Sequence, residues 1–229
     1  ERANQILGLY QRLGDGLGPD GAFAYEFKIG AIRTAQTVLA PVLAQLLKVH
    51  PRLQIKVVRG LSLGLAQQVE KGELDAALIA EPRAQSNTLC DWAVYRREPF
   101  YLVAPLGTQG DSDEALLRQM PFIRFDRNAW AGRVIDDELK SRGIVPKELM
   151  ELDSLEPALK MVEYGLGVTV IPFTDRDAEN CRQQFHLIPF GKPQKVRRMG
   201  LYQKKQHSRR QVAEKIAEAL QKTENWIGD

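Results

Sequence analysis

The apolar positions of this chain alternate between a spacing of three or four and a spacing of two, and the alternation lays out the elements. Ile6, Leu9, Tyr10 and Leu13 give residues Glu1–Leu13 a helical period. Gly14–Gly21 is a linker by composition. Tyr25–Ala31 reads as a strand. A helix opening at Arg33 or Thr34 carries Val38, Leu39, Val42, Leu43, Leu46, Leu47 and Val49. Its apolar arc is wide enough to need two burial partners, its own sheet and a second subunit. Pro51 ends it. Leu53–Val58 alternates as a half-buried strand. Ser62 is the expected N-cap of a helix through Lys71, with Leu65, Ala66 and Val69 inward. Leu74–Ile79 is a buried strand, which completes a βαβαβ pattern.

A second series follows. Thr88–Tyr95 and Phe100–Ala104 read as strands, with Pro99 marking a bend or crossing. Ser112–Gln119 is a short helix, and Phe122–Phe125 a strand. A helix from Asn128 or Ala129 runs to Ser141 and stops at Gly143. Glu148–Leu152 is a strand, then Asp153 or Ser154 caps a helix to Glu163. Val168–Pro172 is a strand and Thr174 starts a helix to about Asn180. His186–Pro189 and Met199–Gln203 are strands, and Ser208–Lys222 is the last helix. One segment recurs in this layout. Gly72-Glu73-Leu74-Asp75-Ala76-Ala77-Leu78-Ile79 and Tyr164-Gly165-Leu166-Gly167-Val168-Thr169-Val170-Ile171-Pro172 each read as a glycine stop followed by a buried strand. Two such units imply two sheet-based lobes with a cleft between them.

Composition narrows the chemistry. A hydrophobic share of 44% fills a real core, and a net charge of +3 gives no strong pull toward a polyanion. Basic residues gather late, at Lys192, Lys195, Arg197, Arg198, Lys204, Lys205, Arg209 and Arg210; a solvated face is the expectation and a nucleic-acid stripe the competing reading. Cys90 and Cys181 have no metal or redox spacing and are expected as free thiols. No apolar run is long enough for a membrane helix, and no signal peptide is visible. Starting at Glu1, the chain is expected to be a fragment or a processed product. His50, His186 and His207 are not spaced with a second ligand or catalytic partner. There is no Gly-x-Ser-x-Gly elbow, P-loop or dinucleotide fingerprint. The expectation is therefore no catalytic residue, no metal and no cofactor.

Several pieces, in this order and spacing, resemble the effector-binding (co-inducer-binding) domain of LysR-type bacterial transcriptional regulators across Phe27–Leu220. They are Ile29-Gly30-Ala31 with Leu39-Ala40-Pro41, His50-Pro51, the Gly72–Ile79 segment, Glu98-Pro99-Phe100-Tyr101-Leu102-Val103-Ala104-Pro105, Asp153-Ser154-Leu155, and Gly165–Pro172. The resemblance implies an α/β fold of two Rossmann-like lobes joined by a two-stranded hinge, like type 2 periplasmic binding proteins. Residues 1–25 would be the end of a linker helix and a flexible linker. Residues 26–97 with 191–224 would form lobe I and 98–190 lobe II, with crossings near Arg96–Pro99 and Pro189–Lys192. The function implied is ligand sensing and oligomerisation in a cytoplasmic regulator whose winged helix-turn-helix lies outside this chain. DNA would be touched only by that absent domain, and no membrane is involved. A periplasmic solute-binding protein for transport is the alternative reading of the same fold.

In open sheets, ligands sit beyond the carboxyl ends of strands, where helix N-termini present free N–H groups that favour anions. Four such openings give the candidate effector-binding residues. The first is Ile32, Arg33 and Thr34, with Arg33 a carboxylate clamp or a solvent-facing charge, and Thr34 a ligand contact or a cap. The second is Ser62 and Leu63. The third is Arg124, Asp126, Arg127, Asn128 and Trp130, where Trp130 could stack on a ring and an arginine could pair with a carboxylate or with Asp126. The fourth is Asp153 and Ser154 together with Phe173 and Thr174, with Asp153 equally readable as an N-cap and Phe173 as a pocket wall or core. Glu81 stands where the resemblance to a benzoate-responsive branch implies an arginine. A glutamate there argues against a simple dicarboxylate and would engage an amine or hydroxyl, or neutralise Arg33. The expected partners are a small-molecule effector, a carboxylate by family resemblance, and a second copy of the chain, with a tetramer at full length. The expected dimer surface is Val38, Val42 and Leu46 on one helix, and Leu65 and Val69 on the other.

Overall fold

The computed structural model describes residues 25–82 and 88–223, so the expected helix at 1–13 and linker at 14–21 lie outside the described residues. The chain divides into two compact units: unit 1 comprises Glu1–Arg96 with Met199–Asp229, and unit 2 comprises Arg97–Arg198.

In unit 1, strand β1 (Glu26–Ala31) lies parallel to β2 (Gln54–Arg59) and to β3 (Ala76–Ala80). The sheet order runs β2-β1-β3-β9, with β9 (Val196–Lys204) antiparallel to β3. Helix α1 (Arg33–Val49) crosses from β1 to β2, and α2 (Ser62–Lys71) from β2 to β3. The core closes on Leu65, Val69, Leu74, Ile79 and Tyr202. Ser62 is the first helical residue rather than the expected N-cap, which is Leu61 in extended conformation.

Val42, Leu65 and Val69 are 2%, 1% and 0% exposed, so they pack inside their own unit and are withdrawn as subunit-facing residues. The α1 arc is satisfied on that side by its own sheet and by α7 (Arg210–Thr223), whose Val212, Ile216 and Leu220 are buried. Val38 and Leu46 are half-buried. The apolar residues left exposed around them are Leu47 and Val49 on α1 and Val57 on the edge strand β2.

Strand β4 (Cys90–Pro105) begins in unit 1 and continues through Pro99 into unit 2 as one strand where two were expected. Its second half pairs antiparallel with β7 (Thr169–Pro172) and with β8 (Phe185–Pro189). Strand β5 (Pro121–Phe125) pairs parallel with β6 (Lys147–Leu152) and bridges to β7 at Phe122 and Val168. Helices α3 (Asp113–Gln119) and α4 (Trp130–Ser141) cover one face, over Phe100, Leu102, Phe122 and Val170. Helices α5 (Leu155–Glu163) and α6 (Asp175–Cys181) cover the other, over Tyr101, Val103, Ile123 and Ile171. Alternate residues of one strand thus supply opposite faces. Residues 191–198, grouped with lobe I in the sequence reading, bond into unit 2: the Phe100 N–H donates to Lys195 O at 2.8 Å and the Gly191 N–H to Asp113 at 3.0 Å.

The recurring glycine segment ends its two helices in the same way. Gly72 and Gly165 have φ of 79° and 75°, the left-handed region that glycine enters without a Cβ penalty. In each, the glycine N–H and the next N–H bond back to the last turn: Gly72 to Val69 O and Glu73 to Gln68 O, Gly165 to Val162 O and Leu166 to Met161 O.

Candidate functional site

The helix starts fall into two kinds. Ser112 and Thr174 cap α3 and α6: the Ala115 and Asp177 N–H groups donate to their hydroxyls at 3.3 and 3.0 Å. Each of these helices also carries two acids in its first turn, Asp113 and Glu114 in one and Asp175 and Asp177 in the other. Thr174 belongs to the fourth opening, and the other helices at the openings differ from it. α1, α2, α4 and α5 start after Ile32, Leu61, Ala129 and Ser154, all extended and none giving a side-chain cap bond. The first turns of α1, α2 and α4 contain no acid, and that of α5 contains Glu156. An uncapped start leaves N–H groups and the positive end of the helix dipole for an external acceptor.

Unit 1 brings two openings and Glu81 to the carboxyl ends of β1 and β3. The Ile32 N–H donates to Leu78 O at 3.2 Å, which sets the start of α1 beside β3. Ser62 Oγ accepts the Ala80 N–H at 3.2 Å, which fixes the start of α2 against the end of the same strand. That bond uses the oxygen and leaves the hydroxyl proton to donate outward. Ile32, Thr34 and Glu81 are half-buried and Arg33 is exposed. Leu63 is 59% exposed and Leu61, in the same opening, is 48% exposed. The same ends of β1 and β3 therefore offer a hydroxyl, helix starts without side-chain caps and apolar flanks.

In unit 2, the charged opening is engaged internally. Arg124 is 3% exposed, and its guanidinium grips Asp136 on α4 and Glu148 on β6, the latter at 2.6 Å. Arg127 pairs with Glu148, with Asp136 at 3.6 Å and with Glu151 at 3.3 Å. Burial pushes the Glu148 carboxyl up, but hydrogen bonds from Arg124 and Arg127 outweigh it and hold it below the ordinary carboxylate range. Neither arginine pairs with Asp126, whose Oδ1 accepts the Asn128 N–H at 2.8 Å. Asn128 is exposed and Asp126 half-buried. Trp130 packs against the core beside Phe100, with ring centroids 6.5 Å apart. Ser154 is the half-buried N-cap of α5. Phe173 is 4% exposed and sits in the α5–α6 core against Tyr101. Asp136, Glu148 and Glu151 went unnoticed in the sequence because their role depends on strand pairing: Arg124 stands level with Glu151 across β5 and β6.

The late basic residues are largely paired. Lys195 meets Glu138, Arg197 meets Glu98, Arg209 meets Asp75, and Arg210 meets Asp91 and Glu214. Among the described residues, no group of three or more His, Cys, Asp or Glu is placed to hold a metal ion, and no helix is long and apolar enough to cross a membrane.

The profile of the LysR substrate binding domain family matches residues 20–224. The chain belongs to this family. It is a ligand-sensing regulatory module of the LysR type, with the two-lobed α/β fold of periplasmic binding proteins. It is 31% identical over 145 residues to the HTH-type transcriptional regulator CzcR of Bacillus subtilis, a match covering 63% of this chain and 48% of that protein. It is 30% identical over 204 residues to a probable hydrogen peroxide-inducible genes activator of Mycobacterium leprae, covering 84% of this chain and 65% of that one. The chain thus spans about half to two thirds of the length of these relatives.

Among solved structures, the fold is similar to the reduced OxyR regulatory domain of Pseudomonas aeruginosa, with TM-score 0.66 and 24% identity over 90% of this chain and 99% of that one. It is also similar to the effector-binding domain of QuiR in complex with shikimate, with TM-score 0.67 and 14% identity over 87% and 97% of the two chains. Cys90 and Cys181 lie in different units and are half-buried free thiols. Burial, and then the Asp177 charge, push the Cys181 thiol up, the opposite of what a reactive thiolate needs.

Proposed function

We propose that this chain senses a small acid held between its two units, lobe I ending at Arg96 and resuming at Met199 and lobe II spanning Arg97–Arg198, and relays its presence to a DNA-binding domain outside the chain. The observation that carries this reading is the contrast in helix starts. Among the helices at the candidate openings, α1, α2, α4 and α5 lack side-chain caps, while α6, whose Thr174 belongs to the fourth opening, is capped and acidic like α3. In this reading Ser62 and the starts of α1 and α2 receive the carboxylate, with Arg33, Thr34 and Leu63 beside it. Trp130, Ser154, Asp126, Asn128, Phe173 and Glu81 shape the rest. Arg124 and Arg127 act by holding their loop, since their charges are already matched. The relatives named above are transcriptional regulators, which favours sensing over solute transport. Shikimate, bound to QuiR, is a small hydroxylated acid of the class proposed here.

The reading includes a cytoplasmic homodimer, tetrameric at full length, assembled through Leu47, Val49 and Val57 with Val38 and Leu46. A thermal-shift screen against small acids, amino acids and metabolites tests the sensing claim. At least one acid should stabilise the chain, and Ser62→Trp or Thr34→Trp should abolish its binding while leaving the circular dichroism spectrum unchanged. An acid whose isotherm is the same in both variants would remove this site, and no stabilising acid at all would remove the effector class.

A further inference from the structure

Helix α4 begins at the Asp126–Ala129 loop and reaches, through two separate sets of contacts, the segments by which the chain passes between its units. At the amino end, Trp130 packs on Phe100, and Phe100 packs on Phe190, each pair with ring centroids 6.5 Å apart. Phe100 lies just beyond the outward passage at Arg96 and Arg97, and Phe190 precedes the return passage at Arg198. The backbone ties these two together: the Phe190 N–H donates to Phe100 O at 3.0 Å and the Phe100 N–H to Lys195 O at 2.8 Å.

Near its carboxyl end the same helix holds the return segment through charge. Glu138, 5% exposed, accepts the Lys192 N–H at 3.3 Å and pairs with Lys195 at 2.8 Å. Asp113, 3% exposed at the start of α3, accepts the Gly191 N–H at 3.0 Å. Arg142, directly after α4, binds Asp113 at 2.6 Å and faces Glu138 at 3.8 Å. Buried carboxylates of this kind are kept only where donors satisfy them, and here two of those donors are amides of one short segment, Gly191 and Lys192. Gly191 has φ of 93°, and a Cβ there would sit 3.3 Å from Glu138 Oε1, so backbone and carboxylate are fitted to each other. Strand β9, which carries the chain back into unit 1, begins four residues after Lys192.

We propose that α4 couples the 126–130 opening to both passages between the units, with Trp130 and Glu138 as its positioning residues. The regulatory meaning of this coupling rests on the effector reading above; the coupling itself does not. It makes α4 the element through which a change at the opening reaches β9 without passing through the α5–α6 side of unit 2.

Amide hydrogen exchange on the whole chain tests this without any ligand. Trp130→Leu and Glu138→Gln should each speed exchange at Gly191, Lys192 and Lys195 by about tenfold, while the amides of α5 on the opposite face stay within about twofold. Arg127→Ala, made in the loop, should speed the same three amides by about threefold, and should add nothing in the Trp130→Leu background. A rise shared equally by α5 would mean ordinary loss of packing and would overturn the proposal. So would unchanged exchange at 191–195, or additive effects of the loop and Trp130 substitutions. If Trp130→Leu does not fold, Glu138→Gln, which keeps size and removes charge, carries the same comparison. A chain that binds no acid but shows this pattern would sink the effector reading and leave the coupling standing.

Discussion

The openings of unit 1 and the charged opening of unit 2 are built from the same plan, a strand end followed by an uncapped helix, yet they treat their polar groups in opposite ways. In unit 1, Ser62 Oγ is fixed by one backbone N–H and keeps a proton to give, with exposed Leu61 and Leu63 on either side. In unit 2, Arg124 and Arg127 have their charges matched by Asp136, Glu148 and Glu151. The difference teaches that charged residues at a strand end are a poor guide to ligand contact. A buried arginine that must be satisfied to fold is committed before any ligand arrives. A modest hydroxyl with one bond made and one to make is the better candidate.

The comparison can be broken from the unit-2 side first. Arg124→Leu removes the buried cation between Asp136 and Glu148 and leaves them to the more exposed Arg127. It should lower unfolding stability by about 3–5 kcal/mol in urea titrations, and a loss under about 1 kcal/mol would show the network to be a surface feature. Gly132→Ala comes next. A Cβ at that position would lie 2.0 Å from Asp126 O, so the loop and α4 cannot keep their approach. A loss of about 2–3 kcal/mol is expected, together with a changed Trp130 fluorescence.

Acid should act on the two units unequally. Burial pushes Glu148 and Asp113 up, yet both are held below their ordinary values of 4.5 and 3.8, Glu148 by the hydrogen bonds and charges of Arg124 and Arg127, and Asp113 by Arg142 together with the Gly191 and Glu114 N–H groups. A depressed folded value means stability that is present above the ordinary value and lost as pH falls through the folded one. Exchange measured from pH 5 downward should therefore rise in unit 2 before unit 1, and the reverse order would contradict the saturated network. Ser62→Ala is the smallest change to the fold. It removes the acceptor of the Ala80 N–H, worth about 1 kcal/mol, while its effect on acid binding should be far larger than its effect on melting.

Much of this was legible in the sequence, for reasons that differ by element. The periodicity of Glu26–Ala80 is local, and strands and helices there fall within a residue or two of where the pattern puts them. The glycine stops were legible because only a residue without Cβ fits their φ. Ser62 was expected as an N-cap and as a ligand contact; its bond is instead to Ala80, which is distant in sequence and carries no side-chain signal. The subunit-facing residues Val42, Leu65 and Val69 failed because apolar spacing identifies a buried face without saying what buries it. Trp130 and the arginines stood out as unusual, but their partners Phe100, Asp136 and Glu148 come from strands and helices that only tertiary pairing brings near.

The most direct test of the central claim is a two-dimensional 15N NMR titration of the chain with a panel of small carboxylates and amino acids. At least one should shift the amides of Arg33, Thr34, Leu63 and Gly64 saturably, leaving the capped starts of α3 and α6 unmoved. Saturable shifts at those capped starts, or none at α1 and α2 with any member of the panel, would contradict the account.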